Sequence, residues 1–276
     1  MITNFLVTGD FHGRLDRFIN LHLVYNPTET AIICLGDCGF NFYLNKKDQK
    51  LKQQAEDLGF TFYCLRGNHE ARPEDISTMS YLYDPEVNEY VYMETQFPHI
   101  HYLVDGGLYN FNGITTFTIG GAYSVDKWYR ILRAGYTEEN NNPKATGWFA
   151  NEMLNENERN KILTFSQNLT VDLVLTHTCP LPWEPTDLFL SAVDQKKVDK
   201  TMEKFLDSVQ KTVNWKIWLF GHYHDDRLVR PGVEMYYTDI EPFQNIMERW
   251  DNYAETGEVD WWLKKDPNFY YEGDTH

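Results

Sequence analysis

The chain has 276 residues, a formal net charge of −16, 42% hydrophobic residues and 16% aromatic ones. That apolar content describes a folded globular protein and excludes a disordered one, while the acidic balance argues against an extended nucleic-acid surface built on a broad basic face. No apolar run approaches the ~18 residues that span a bilayer and the start "MITNFLVTGD" has no basic leader, so a soluble cytoplasmic protein without membrane contacts is expected.

In chain order, "FLVTG" (5–9), "AIICLG" (31–36) and "FTFYCL" (60–65) read as strands that are apolar on both faces, the pattern of strands covered on each side. Between them, "GRLDRFINLHLVY" has helical spacing that puts Leu15, Phe18, Ile19 and Leu23 on one face. "KKDQKLKQQAEDLG" is a second helix with Gly59 at its C-terminal end. The stretch from about 99 to 123 holds three short β-like runs separated by "DGG" and "NG", which predicts an antiparallel meander. Two further helices, in "NEMLNENERNKILTFSQNL" and "DQKKVDKTMEKFLDSVQK", precede the strands "VDLVLTH" (171–177) and "WKIWLFGH" (215–222).

No Pro/Ser/Gly-rich linker divides the chain, so residues 1–276 are expected to form one domain, with an aromatic and acidic appendage from about 241 that includes Trp250, Trp261 and Trp262. Cys34, Cys38, Cys64 and Cys179 lack the spacing of a zinc site and read as small buried thiols. Nothing in the pattern specifies an oligomeric state.

The residues that follow the strands carry the chemistry. "FLVTG" runs into Asp10-Phe11-His12, "AIICLG" into Asp37, "FTFYCLRG" into Asn68-His69, "VDLVLT" into His177 and "WKIWLFG" into His222-Tyr223-His224. In open α/β sheets the carboxyl ends of the strands are where ligands bind, so residues far apart in sequence meet there. Asp10, His12, Asp37, Asn68, His177, His222 and His224 combine carboxylate, imidazole and amide donors, a set that suits Mn, Fe or Zn rather than Ca²⁺. Seven donors exceed the needs of one such ion; with one bridging carboxylate they divide into two sites, the arrangement that hydrolyses phosphate esters.

The series "GDFHG", "GDCG", "RGNHE", "LTH" and "GHYH", spread over residues 9–224, resembles the motif series of the calcineurin-like metallophosphoesterases. The resemblance implies a four-layer α/β/β/α sandwich with two mixed β-sheets. It also implies two divalent or trivalent metal ions, with Asp10, His12, Asp37 and His224 on the first and Asp37, Asn68, His177 and His222 on the second. Attack of a metal-bridging hydroxide in line on phosphorus follows by the same resemblance, with His69 as the catalytic acid that protonates the leaving oxygen.

"LRGNHE" is most similar to the serine/threonine protein phosphatase branch, yet the second motif departs from that branch. Phe40 stands where the branch has the aspartate that orients the catalytic histidine, and Asn41 where it has a phosphate-binding arginine. Lys127, Arg130 and Arg133, three apart in "GGAYSVDKWYRILRAG", are candidates to contact substrate phosphate in its place. Trp148 and Trp183 are read as loop-packing side chains, with stacking on an aryl or nucleobase group as the alternative; His22, His99, His101 and His276 are read as structural. The expected activity is phosphomonoester hydrolysis on a phosphorylated protein or small molecule. The alternatives are a phosphodiesterase or nuclease acting on nucleotides or short nucleic acid, and a non-catalytic scaffold of the same fold.

Overall fold

The computed structural model describes residues 1–134 and 147–259. Its first sheet contains β1 (Asn4–Thr8), β2 (Thr30–Cys34), β3 (Thr61–Cys64), β4 (Met79–Asp84), β5 (Glu89–Glu94), β6 (Phe97–Tyr102) and β13 (Ile240–Pro242), in the order β13-β1-β2-β3-β6-β5-β4. The second contains β7 (Gly107–Phe111), β8 (Ile114–Ile119), β9 (Thr170–Thr176), β10 (Asn214–Phe220), β11 (Arg227–Arg230) and β12 (Val233–Met235), in the order β11-β12-β10-β9-β8-β7. β1, β2, β3 and β6 run parallel, as do β8, β9, β10 and β12, and antiparallel strands complete both sheets.

Side-chain alternation along these strands builds three apolar layers. Val7, Ile33, Leu35, Tyr63 and Leu65 meet Leu173, Leu175, Ile217 and Leu219 between the two sheets. On the outer face of the first sheet, Ile32, Cys34, Phe62 and Ile100 pack with Phe18 and with Ala55 of α1 (Lys46–Leu58). On the outer face of the second, Phe117, Val174, Trp218 and Phe220 pack with Ile162 of α3 (Glu156–Phe165) and with Met202, Phe205, Leu206 and Val209 of α4 (Thr201–Thr212). The short α2 (Lys127–Arg133) follows β8. The result is the expected four-layer sandwich, with layers in the order α/β/β/α. All four cysteines are buried free thiols, as their sequence context indicates.

Four local outcomes differ from the sequence pattern or lie outside it. The Leu15–Leu23 segment is a 3₁₀ helix, whose threefold period buries Leu15 and Phe18 and leaves Ile19 and Leu23 exposed. "DGG" is a crossover from β6 in one sheet to β7 in the other, whereas "NG" is a hairpin turn between β7 and β8 with Asn112 and Gly113 both at positive φ. The β4–β5 hairpin was not foreseen. The stretch from 241 to 259 is joined to the sandwich: β13 extends the first sheet beside β1, and Phe243, Ile246 and Trp250 of α5 (Phe243–Thr256) enter the layer between the sheets. Trp261, Trp262 and His276 lie outside the described residues.

Candidate metal centre

Because the parallel strands of each sheet end side by side, the loops after β1, β2, β3, β9 and β10 converge on one edge of the sandwich. They are stitched together by backbone: His12 N–H donates to the Asp37 carbonyl at 2.9 Å and Gly221 N–H to the His177 carbonyl at 3.0 Å. Of the eight non-glycine residues at positive φ among the described residues, four are His12, Asp37, His222 and His224, at 46°, 50°, 71° and 57°. Each carries a conformational cost on the order of 1 kcal/mol that the surrounding loops must offset, a burden typical of functional sites. Two motif glycines supply space. A Cβ on Gly36 would lie 2.1 Å from Nδ1 of His177, and one on Gly67 would lie 1.9 Å from Oδ1 of Asp37.

All seven donor residues meet here. Asp10, His12 and His224 present ligand atoms within 4.8 Å of one another, and so do Asp10, Asp37 and His177, making Asp10 common to both groups. Asn68 joins the second group through its amide oxygen, 2.9 Å from Nε2 of His177. His222 stands beside it, its ring centroid 5.0 Å from that of His177 and its backbone N–H donating to Oδ2 of Asp10 at 2.8 Å.

Hydrogen bonds decide which atoms are free to ligate. His177 donates Nδ1–H to the Leu35 carbonyl at 2.7 Å, leaving Nε2 with its lone pair. Asn68 donates its amide N–H to Oγ of Ser124 at 2.8 Å, and Ser124 is fixed in turn by Glu152 through contacts of 2.5 Å to its hydroxyl and 3.1 Å to its N–H. The Asn68 oxygen therefore faces the His177 lone pair, acceptor against acceptor. Nε2 of His12 and Nε2 of His224 converge at 3.0 Å, with Oδ2 of Asp10 at 3.4 Å from the latter. Oδ1 of Asp10 is buried without a partner among the described residues. Two sets of ligand atoms converging on the buried Asp10 and Asp37 carboxylates fit a pair of cations, and 3.0 Å suits two adjacent nitrogens on one ion with bonds of about 2.1 Å.

The electrostatics agree with that use. Burial raises the Asp37 carboxyl, but the imidazoles of His69, His177 and His12 and the 2.8 Å bond from His69 N–H outweigh it and hold Asp37 well below the usual carboxylate range. Burial, aided by His177, pushes His222 well below its ordinary value and keeps it neutral, the form that ligates. The hydrogen bond to Asp10 raises His224, so at this one residue a cation has to displace a proton before the ring can ligate. His69 is lowered by burial against the opposing charge of Asp37, whose Oδ2 lies 3.9 Å from its Nε2.

His69 lines the same cavity as Asp37, Asn68, His222 and His224, and its Nδ1 is buried without a partner. Phe40 cannot orient it, being buried in the outer layer edge-on to Phe11 at 5.5 Å. Asp126 lines the cavity too, and its Oδ1 is likewise buried and partnerless. Lys127 and Arg130 do not line it. The Lys127 ammonium sits 4.2 Å over the Trp148 ring, and Arg130 bonds Asp126 at 2.5 Å and the Gly147 carbonyl at 2.8 Å. Arg133 ends α2.

Trp183 is buried edge-on against Trp215 and Trp218 at 5.6 and 5.4 Å, a packing role. His22 packs on Phe60 and His99 pairs with Glu56, while His101 pairs with Asp84. Glu70 closes the turn after β3, accepting Gly67 N–H at 3.2 Å and the Cys38 thiol at 3.1 Å. Ser124 and Glu152 escaped the sequence reading; the only cue was the Gly-Gly-Ala-Tyr-Ser run after a strand, which by itself signals a turn.

No helix among the described residues is long and apolar enough to cross a membrane. Comparison with curated proteins finds no match to the chain. The family model for calcineurin-like phosphoesterases matches residues 3–226, from the first strand through the last of the converging loops, and the chain belongs to that family.

Proposed function

We propose that the protein is a dinuclear metal-dependent phosphomonoesterase, with Asp10, His12, Asp37 and His224 holding one cation and Asp37, Asn68, His177 and His222 the other. The observation that carries this reading is the convergence of donor atoms on Asp10 and Asp37, with the Asn68 oxygen against the His177 lone pair at 2.9 Å and Nε2 of His12 beside Nε2 of His224 at 3.0 Å. A pair of such cations supplies Lewis acidity toward the phosphoryl group and a water of lowered pKa.

The chain's own groups do the rest. The Leu35 carbonyl and the Glu152–Ser124–Asn68 relay fix the orientation of His177 and Asn68 before any substrate arrives, so little reorganisation remains. His69 presents Nε2 at the cavity wall and protonates the leaving oxygen. The orienting role that the protein phosphatase branch gives to its second-motif aspartate falls to Asp126. In support, the partnerless Nδ1 of His69 and Oδ1 of Asp126 belong to one cavity, and the charge of Asp126 acts on His69. Arg130, paired with Asp126 and within electrostatic reach of His69, is the better candidate of the two cations to meet substrate phosphate.

The test is turnover of p-nitrophenyl phosphate against bis-p-nitrophenyl phosphate by Mn²⁺-reconstituted protein. Faster cleavage of the monoester is expected, and exclusive cleavage of the diester would overturn the assignment.

A further inference from the structure

Beyond the metal centre the cavity has a second half that the chemistry above does not use. The whole cavity, ligand residues included, has a volume of about 270 Å³, and from those residues it extends along Leu188, Phe189, Leu190, Val193 and Val198, with Tyr123 and Val125 on the lining as well. These five apolar side chains belong to the stretch between β9 and α4, which is shaped by short 3₁₀ turns at Thr186–Leu188 and Gln195–Lys197. Such a wall removes little from water when empty and gains stabilisation only when apolar surface covers it.

Charge narrows the occupant. Lys200 is the single Lys or Arg among the described residues lining the cavity. Its ammonium is taken by Glu184 at 2.6 Å and lies 4.6 Å over the Phe189 ring. The remaining ionisable groups of that half, Asp126 and Glu203, are carboxyls. A second phosphate or an acidic peptide flank would meet no free cation there. Size bears on it too: an apolar cavity of about 150 Å³ holds a benzene molecule, so a cavity of about 270 Å³ that must also take the phosphoryl group has room beside it for about one ring.

We infer that this half is the leaving-group subsite, and that the substrate is a small phosphate monoester of an uncharged, ring-bearing alcohol or phenol whose ring packs against Phe189. The inference rests on the phosphoesterase reading above. Covering a ring of phenylalanine size is expected to raise kcat/KM about 10- to 100-fold, and to do so through KM, because the ring is bound equally in ground and transition states.

The experiment compares 3-phenylpropyl phosphate with propyl phosphate, whose leaving alcohols have nearly equal acidity, on Mn²⁺-loaded wild type, Phe189→Ala and Val193→Asp. In parallel, 2-naphthol is titrated into the metal-free proteins by calorimetry. A preference of about tenfold or more for the phenyl substrate is expected in wild type, shrinking to within about twofold in both variants, with saturable naphthol binding lost alongside it. Equal kcat/KM for the two esters, or a preference that survives both substitutions, overturns the inference. A phosphotyrosine peptide turned over better than phenyl phosphate overturns the assignment to a small molecule. Saturable, Phe189-dependent naphthol binding without turnover of any ester would instead sink the phosphoesterase reading while leaving an apolar ring site in place.

Discussion

Glu203 offers a measurable consequence of burying a carboxyl beside this site. It lies in the first turn of α4, 3% exposed; Oε1 accepts the Thr178 hydroxyl at 3.0 Å and Oε2 has no partner. Burial, with the neighbouring Glu184 adding to it and the Thr178 bond opposing, pushes its pKa up to about 7. In the unfolded chain a glutamate titrates near ~4.3. The folded state therefore keeps a proton that the unfolded state releases, and stability is fully present below about pH 4 and declines as pH rises through 7. With 1.36 kcal/mol per unit, the decline attributable to this one group is about 4 kcal/mol.

Glu203→Gln removes the titration. Urea unfolding of metal-free wild type and variant at pH 4, 5, 6, 7 and 8 should give stability curves that separate progressively, the variant gaining about 3 kcal/mol relative to wild type between the ends of the series. By thermal unfolding the same gain corresponds to about 4–12 °C in a chain of this size. A constant offset arises if the new amide hydrogen bonds differently from the carboxyl, so the slope is the diagnostic quantity. Curves that stay parallel across the series would refute the account of a protonated buried glutamate.

Asp37→Asn should lower kcat by about 10²- to 10³-fold and reduce bound Mn²⁺ per chain, read by elemental analysis after desalting. His69→Asn should slow phenyl phosphate by about 10²- to 10⁴-fold while sparing 2,4-dinitrophenyl phosphate, whose leaving group needs no proton. Asp126→Asn should show the same leaving-group dependence more weakly and add nothing to His69→Asn; additive losses would remove Asp126 from its orienting role. Gly36→Ala combines a Cβ placed 2.1 Å from His177 Nδ1 with a φ of +102° and should cost about 3 kcal/mol or more of stability in urea, together with metal binding.

The sandwich was legible because β1, β2, β3, β9 and β10 are continuous apolar runs, and because each is followed by a side chain with no business in a core. The seven donor residues that converge on one edge of the sandwich were legible for the same reason. The β4–β5 hairpin was not, since Tyr81, Leu82, Tyr83 and Tyr90 are largely exposed and give no alternation of apolar and polar faces. Ile19 and Leu23 misled because a helical period of 3.6 was applied to a 3₁₀ segment. Ser124, Glu152 and Asp126 act on Asn68 and His69 across more than fifty positions of sequence, and no local pattern announces such a contact.

The pairing of β1 with β13 bears on how the chain is made. Leu6 faces Pro242 across that ladder, and the ligand residues reach from Asp10 to His224. While the ribosome is still working through the second sheet, β1 has one open edge, and the loops meant to hold cations have no partners. Neither the first sheet nor the candidate metal centre is complete until the segment from His224 to Pro242 has emerged. Long-range closure of this kind is slow and leaves apolar strand surface waiting in the interim.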